Sequence, residues 1–203
     1  MTRLFKLSLA VAAAALALGA QAADYPAAGK TITIVVPFAA GGPTDKVARD
    51  LAEALRKPLG GATIVIDNTA GAGSTIGTAK AFRANPDGYT LLVTHIGIAT
   101  TPALYRKLPY TVGEFEFAGL INEVPMVVVG KPSLAPNNWG ELKSWIVENK
   151  NKVNLANAGL GAASHLCGRM LMQALQADLT TVPYKGTAPA MTDLIGGQVD
   201  IMC

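Results

Sequence analysis

The sequence predicts an α/β protein of two similar lobes, the second of them incomplete. Short runs rich in β-branched residues alternate with stretches of helical spacing. Glycine recurs where a strand hands over to a helix, and the order strand, glycine loop, helix runs through two successive series.

Thr31-Ile-Thr-Ile-Val-Val36 is the first strand, apolar enough to be covered on both faces. The loop Pro37-Phe-Ala-Ala-Gly-Gly42 leads into a helix with Pro43 in its first turn and Asp45 close behind, both favourable at a helix start. Val47, Ala48, Leu51 and Leu55 form its apolar face, and Pro58 to Gly61 end it. Thr63 to Ile66 is the second strand, Asn68 to Gly73 its loop, and Ser74 to Arg83 the next helix. Asn85-Pro-Asp-Gly88 has the residues of a tight turn. Thr90 to Thr94 is a third strand, with a short helix near Pro102 to Tyr105. Strands separated by helices imply a parallel sheet covered on both faces.

The second series opens with a strand at Pro125 to Val129 and an amphipathic helix marked by Trp139, Leu142, Trp145 and Ile146. Val153 to Ala156 is a strand, Gly159 to Ala163 a loop, and Ser164 to Leu175 a helix. Thr180 to Pro183 is a strand, followed by a loop and helix over Gly186 to Ile195, then a strand at Gln198 to Met202. The expected organisation is a leader over residues 1–22, a first lobe over 23–121 and a second over 122–203. The last residue, Cys203, falls at a strand end, so the chain is expected to be a fragment of a longer protein.

The leader carries its own signal. Arg3 and Lys6 precede an uncharged apolar run from Leu7 to Ala20, and Ala20-Gln21-Ala22 supplies a small-x-small cleavage pattern. The run is short of the ~20 apolar residues that span a bilayer, so it predicts export and not anchoring. Loss of Arg3 and Lys6 from the 17 basic residues leaves 15 against 14 acidic ones. Such a balance excludes the concentrated basic face of a nucleic-acid binder. In an oxidising compartment the two cysteines, Cys167 and Cys203, can form one disulfide or stay as two buried thiols. The strands that lead to them are neighbours in a doubly wound sheet, which brings both residues to one edge beside the cleft.

Open parallel sheets bind ligands at the carboxyl ends of their strands. Here those ends are Pro37–Asp45, Asn68–Ser74, Thr94–Gly97, Asn157–His165 and Tyr184–Thr187. Glycine leaves backbone N–H groups reachable, and a helix start adds unpaired donors and positive potential, a combination suited to a carboxylate. Gly71-Ala-Gly-Ser-Thr-Ile-Gly77 resembles a dinucleotide loop, but its third glycine is one residue late and no acidic residue ends the next strand. Gly29-Lys30-Thr31 precedes a strand where a phosphate loop would follow one. Ser164 and His165 are adjacent, so on a helix they diverge and do not form a nucleophile–base pair. Two histidines without a carboxylate cluster make no metal site. Neither a cofactor nor catalysis is expected.

The motif Ile34-Val-Val-Pro-Phe-Ala-Ala-Gly-Gly-Pro-Thr-Asp45 resembles the opening of the tripartite tricarboxylate transporter substrate-binding proteins, the Bug family. Asn68 with Gly71-Ala-Gly73, Pro86-Asp-Gly-Tyr-Thr-Leu-Leu92, Pro102-Ala-Leu-Tyr105 and Leu108-Pro-Tyr110 follow in the family's order. So do Gly159-Leu-Gly-Ala-Ala-Ser-His-Leu166, Val182-Pro-Tyr-Lys-Gly-Thr-Ala-Pro189 and Gly196-Gly-Gln-Val-Asp200. Thr69-Ala70 stands where the family has Arg-Pro.

The resemblance implies a Venus-flytrap periplasmic-binding-protein fold of type II with its second lobe truncated, a periplasmic location, and a monomer that delivers a small organic carboxylate to a membrane transporter. It implies a ligand held between the lobes by Phe38, Ala39, Ala40, Gly41, Gly42, Thr44 and Asp45, by Thr94, His95 and Ile96, by Gly159, Gly161, Ala162, Ala163, Ser164 and His165, and by Lys185, Gly186 and Thr187. A ligand-sensing component of a signalling system has the same sequence pattern, and an exported hydrolase using Ser164 and His165 is the enzymatic alternative.

Overall fold

A computed structural model describes residues 25–203. The leader expected over 1–22 lies outside the described residues. Within them no helix is long and apolar enough to cross a membrane.

The first lobe is built on β1 (Thr31–Val36), β2 (Thr63–Asn68) and β3 (Thr90–Leu92), in the order β2-β1-β3. Both pairings are parallel, with Ile34 opposite Ile66 and Leu91. Ile32, Ile34, Val35 and Val36 are buried because β1 is central and covered on both faces. Helices α1 (Pro43–Arg56), α2 (Thr75–Phe82) and α3 (Gly97–Leu104) connect and cover the sheet. Helix α1 turns Ala48 and Ala52 into the core, with Leu51 and Leu55 packed beside them. Helix α2 lies close on the β1 loop, since a Cβ at Gly77 would meet Pro37 Cα at 2.7 Å and Thr69 O at 2.5 Å.

The second lobe contains β4 (Val129–Gly130), β5 (Asn154–Asn157), β6 (Thr180–Pro183) and β7 (Ile201–Met202), in the order β4-β7-β5-β6. Helices α4 (Trp139–Asn149), α5 (Ala163–Leu175) and α6 (Thr187–Ile195) accompany them. Strand β5 alternates as a strand covered on both faces must. Leu155 enters the cluster of Ile146, Val153, Leu171 and Ile201, and Ala156 the opposite cluster of Ala190, Leu194, Val199 and Met202. Helix α4 is capped at its start: the Asn138 side chain accepts the Glu141 N–H at 3.0 Å, and the Glu141 carboxylate accepts the N–H of Asn137, one residue before the cap, at 2.9 Å. Asp200 holds β7 between its neighbours, its carboxylate accepting from Lys131 Nζ at 2.7 Å and from the Asn154 N–H at 2.8 Å.

Four elements depart from the sequence reading. Strand β3 ends at Leu92 and not Thr94, although the Val93 N–H still donates to Val35 O at 3.0 Å. Helix α3 starts at Gly97 and carries Pro102 inside it, where the motif had suggested a helix beginning near the proline. Proline has no N–H for the Ile98 carbonyl, and the Thr101 hydroxyl donates to that oxygen instead, at 3.1 Å. The strand expected at Pro125 to Val129 is reduced to Val129–Gly130 and runs antiparallel to β7, while Val124, Met126 and Val127 are exposed. The last strand starts at Ile201, because Gly197 and Gln198 first close the end of α6 through N–H bonds to Leu194 O and Asp193 O.

Cys167 and Cys203 are joined by a disulfide, their Cα atoms 5.9 Å apart. It ties α5 to the carboxyl end of β7.

Candidate functional site

The carboxyl ends of β1, β2 and β3 face those of β5 and β6, and the loops between meet directly. The Ala39 N–H donates to Lys185 O at 3.0 Å. A Cβ placed at Gly186 would stand 2.9 Å from Ala39 N, and one at Gly42 would stand 3.7 Å from Thr187 Cβ. On the other flank Gly73 faces Gly159 and Leu160, and Gly97 faces Gly161. Ala158 and Ala162 of the second lobe belong to the same apolar cluster as Phe38 and Val93 of the first. Helices α1, α3, α5 and α6 begin at these loops, and their first N–H groups have no partner within the helix.

The first-lobe loop is held from beneath by Asp45. Its carboxylate accepts from the Gly41 N–H at 2.9 Å, from Arg49 Nε at 2.9 Å and from Asn68 Nδ2 at 2.9 Å. Burial alone would raise its pKa, but the bonds from Arg49, Gly41 and Asn68 together bring it below the usual carboxylate value. The carboxylate is thus directed into the loop's own framework, and Asp45 acts as a positioning residue. A pH dependence follows. A carboxyl with a lowered folded-state pKa stabilises fully above its unfolded value, 3.8, and loses that stabilisation as pH falls through the folded value. Asp67, held low by Lys80 and Thr69, adds to the same effect. We expect the urea midpoint of the wild type to fall between about pH 5 and pH 3 by more than that of Asp45→Asn, which has no such carboxyl to protonate. Equal falls would remove Asp45 from this role.

His95 stacks on Phe38 with ring centroids 4.6 Å apart, and its Nδ1 accepts the Gly97 N–H at 3.0 Å. His165 Nδ1 accepts the Gly161 N–H at 3.3 Å. Burial lowers both pKa values, with Arg169 adding to the effect at His165. Neutral rings that accept at Nδ1 carry their proton at Nε2 and present it as a donor. Ser164 is buried and its Oγ accepts the Ala158 N–H at 2.8 Å, so it faces its own loop and has no hydrogen bond with His165.

Lys185 is exposed; the contact it makes across the lobes is through its carbonyl. Ala40 and Ile96 are also exposed, and Thr44 and Ala163 are half-buried at the starts of α1 and α5. Ser74, last residue of the Asn68–Ser74 loop, was not among the ligand-holding residues implied by the resemblance. It initiates α2 with a left-handed backbone, φ 88°, and its Oγ is buried without a partner. Thr94 Oγ1, beyond the end of β3, is buried and unpartnered as well. Unpaired buried hydroxyls are costly, so these two ask for a ligand or an ordered water.

Residues 47–203 match the family model described as the tripartite tricarboxylate transporter family receptor. The chain belongs to that family. It is 48% identical, over 91% of its length, to the UPF0065 protein in the TAR-I ttuE-ttuC' intergenic region of Agrobacterium vitis, and spans 53% of that relative. Among solved structures the periplasmic binding protein BugD is 50% identical with a TM-score of 0.80, covering 88% of this chain and 59% of its own. MatC from Rhodopseudomonas palustris, solved with bound malate, is 39% identical with a TM-score of 0.80, covering 87% of this chain and 60% of its own. The two-lobed periplasmic-binding-protein fold is therefore the fold of this family member, which spans little more than half the length of these relatives.

Proposed function

We propose that this chain captures a small organic carboxylate between its lobes in the periplasm, for delivery to a tripartite tricarboxylate-type membrane transporter, without catalysis. The observation that carries this reading is the meeting of strand-end loops from both sheets at a place where four helices begin. Aligned N–H groups and the helix dipole favour an anion there without a cationic side chain. Ser74 and Thr94 supply hydroxyls still lacking partners. The malate bound to MatC supports the ligand class. The geometry of Ser164 and His165 supports binding over hydrolysis, since neither is placed to activate the other.

Isothermal titration with malate and a panel of mono- and dicarboxylates is expected to give saturable binding to at least one of them. Replacing Lys185 by Ala is expected to weaken that binding less than tenfold, the effect of losing a solvent-screened charge. Complete loss of affinity at Lys185→Ala, with the fold intact, would show that a side-chain ion pair holds the ligand. Ester or amide turnover abolished by Ser164→Ala would replace the binding reading with an enzymatic one. N-terminal sequencing of the secreted protein is expected to start at Ala23, directly after the small-x-small pattern.

A further inference from the structure

Two hydroxyls on and beside α3 sit between the lobes. Tyr105 Oη lies 2.8 Å from Ala72 O in its own lobe and 3.1 Å from Leu160 O in the other. Thr100 Oγ1 lies 3.0 Å from Gly97 O in its own helix and 3.0 Å from Gly161 O across the gap. Each hydroxyl carries a single hydrogen, so each has one home acceptor and one cross-lobe acceptor for it. Leu160 and Gly161 are consecutive residues of the loop that opens α5, the second-lobe loop of the candidate site.

We propose that Tyr105 and Thr100 form a latch that holds the lobes together without a ligand and so positions the second-lobe loop for capture. The arrangement suits a reversible latch. On opening, each hydroxyl keeps its home carbonyl and only the two second-lobe carbonyls turn to water, so no donor is left unpaired. On closing, the same hydrogen is shared between two acceptors. Burial, with Tyr110 nearby, raises the Tyr105 pKa, so the phenol stays a donor across the neutral range. The apolar contact of Ala158 and Ala162 with the first-lobe core lies beside these bonds and favours the same closed state. The apparent dissociation constant of a two-state protein is the intrinsic one divided by the competent fraction, so a latch that raises that fraction reduces what the ligand must supply.

The latch rests on the two-lobed capture reading, but its test needs no ligand. The radius of gyration from small-angle scattering and amide exchange at residues 71–74 and 159–163 are measured on the ligand-free chain. Each lost hydroxyl is expected to raise the exchange rate of those amides by about three- to tenfold. Tyr105→Phe combined with Thr100→Val is expected to expand the molecule as well, with exchange elsewhere in each lobe unchanged. Thr100→Ser keeps the hydroxyl and is expected to behave as wild type. Unchanged dimensions and exchange in the double variant would overturn the latch. So would faster exchange throughout one lobe with wild-type dimensions, which would assign the hydroxyls to the stability of that lobe alone. Titration of the same variants with malate separates the two proposals: a working latch with no carboxylate binding overturns the ligand and leaves the latch standing.

Discussion

Gly73→Ala is expected to abolish ligand capture while leaving both lobes folded. A Cβ at residue 73 would stand 1.9 Å from Leu160 O and 2.9 Å from Leu160 C, both backbone atoms of the opposite lobe. The Tyr105 hydroxyl, at 2.5 Å from the same point, can swing aside; the Leu160 backbone can yield only by moving its lobe. The substitution also places alanine at φ 59°, which costs about 1–2 kcal/mol in any setting. Gly29→Ala isolates that cost, because Gly29 has φ 77° and nothing within 4 Å of its would-be Cβ. Both variants are expected to melt below wild type, Gly73→Ala by more, because it also costs the ligand-free contacts between the lobes. Only Gly73→Ala is expected to lose affinity, by at least about a hundredfold, equivalent to roughly 2.7 kcal/mol of binding free energy. A Gly73→Ala protein that binds like Gly29→Ala would mean that the lobes do not approach this closely during capture.

Gly41 and Gly161, both among the residues implied to hold the ligand, are less restrictive by this measure. A Cβ at Gly41 would make ordinary contact with Ala188 Cβ at 3.6 Å, and one at Gly161 would press on the Leu104 side chain at 3.3 Å. Neither meets backbone of the opposite lobe as Gly73 does.

Much of the architecture is legible in the sequence because it rests on local signals. The run Thr31 to Val36 is β-branched throughout, and a strand covered on both faces needs that character. Pro43 marks a helix start by its own chemistry. Non-local pairing is not legible. The antiparallel partnership of Val129–Gly130 with β7 joins residues about seventy positions apart, and no local pattern announces its direction. Pro102 misleads for a different reason. Proline favours a first helical turn, but here the Thr101 hydroxyl compensates the missing N–H and the helix runs through.

The site divides along the same line. Its loops are legible, since glycine followed by a helix start is a local signature, and family motifs mark the same segments. The direction in which Asp45 faces is not, because its partners Gly41, Arg49 and Asn68 come together only in the fold. The two latch hydroxyls act across separations of 55 and 61 residues, and neither Tyr105 nor Thr100 carries a local signal for that role.

Removing the disulfide is expected to cost the second lobe about 4 kcal/mol. The bond closes a loop between residues 36 apart, and the chain-entropy model assigns roughly 3.8 kcal/mol to a loop of that length. Its position adds a native-state reason. Cys203 is buried and follows β7, whose strand pairings are a two-residue antiparallel one with β4 and a short parallel one with β5. Asp200 and the disulfide stand on either side of that brief strand, so each limits fraying on its side. At the other end of the bond, Cys167 lies in α5 next to Gly168, whose would-be Cβ falls 2.8 Å from Leu155 Cδ2. Helix α5 thus packs closely on β5, whose Leu155 pairs with Ile201 of β7, which brings the helix beside the strand that carries Cys203. Urea unfolding of the oxidised protein and of Cys167→Ala/Cys203→Ala is the direct measurement. The midpoint of the double variant is expected to fall by more than about 1 M, with a slightly larger slope because its unfolded chain is less compact. Reducing the wild type in denaturant and refolding it under reductant is expected to give the same midpoint as the double variant. Matching midpoints for oxidised wild type and double variant would show that the bond contributes nothing to stability, and would leave β7 held by Asp200, its neighbouring strands and the core packing of Ile201 and Met202.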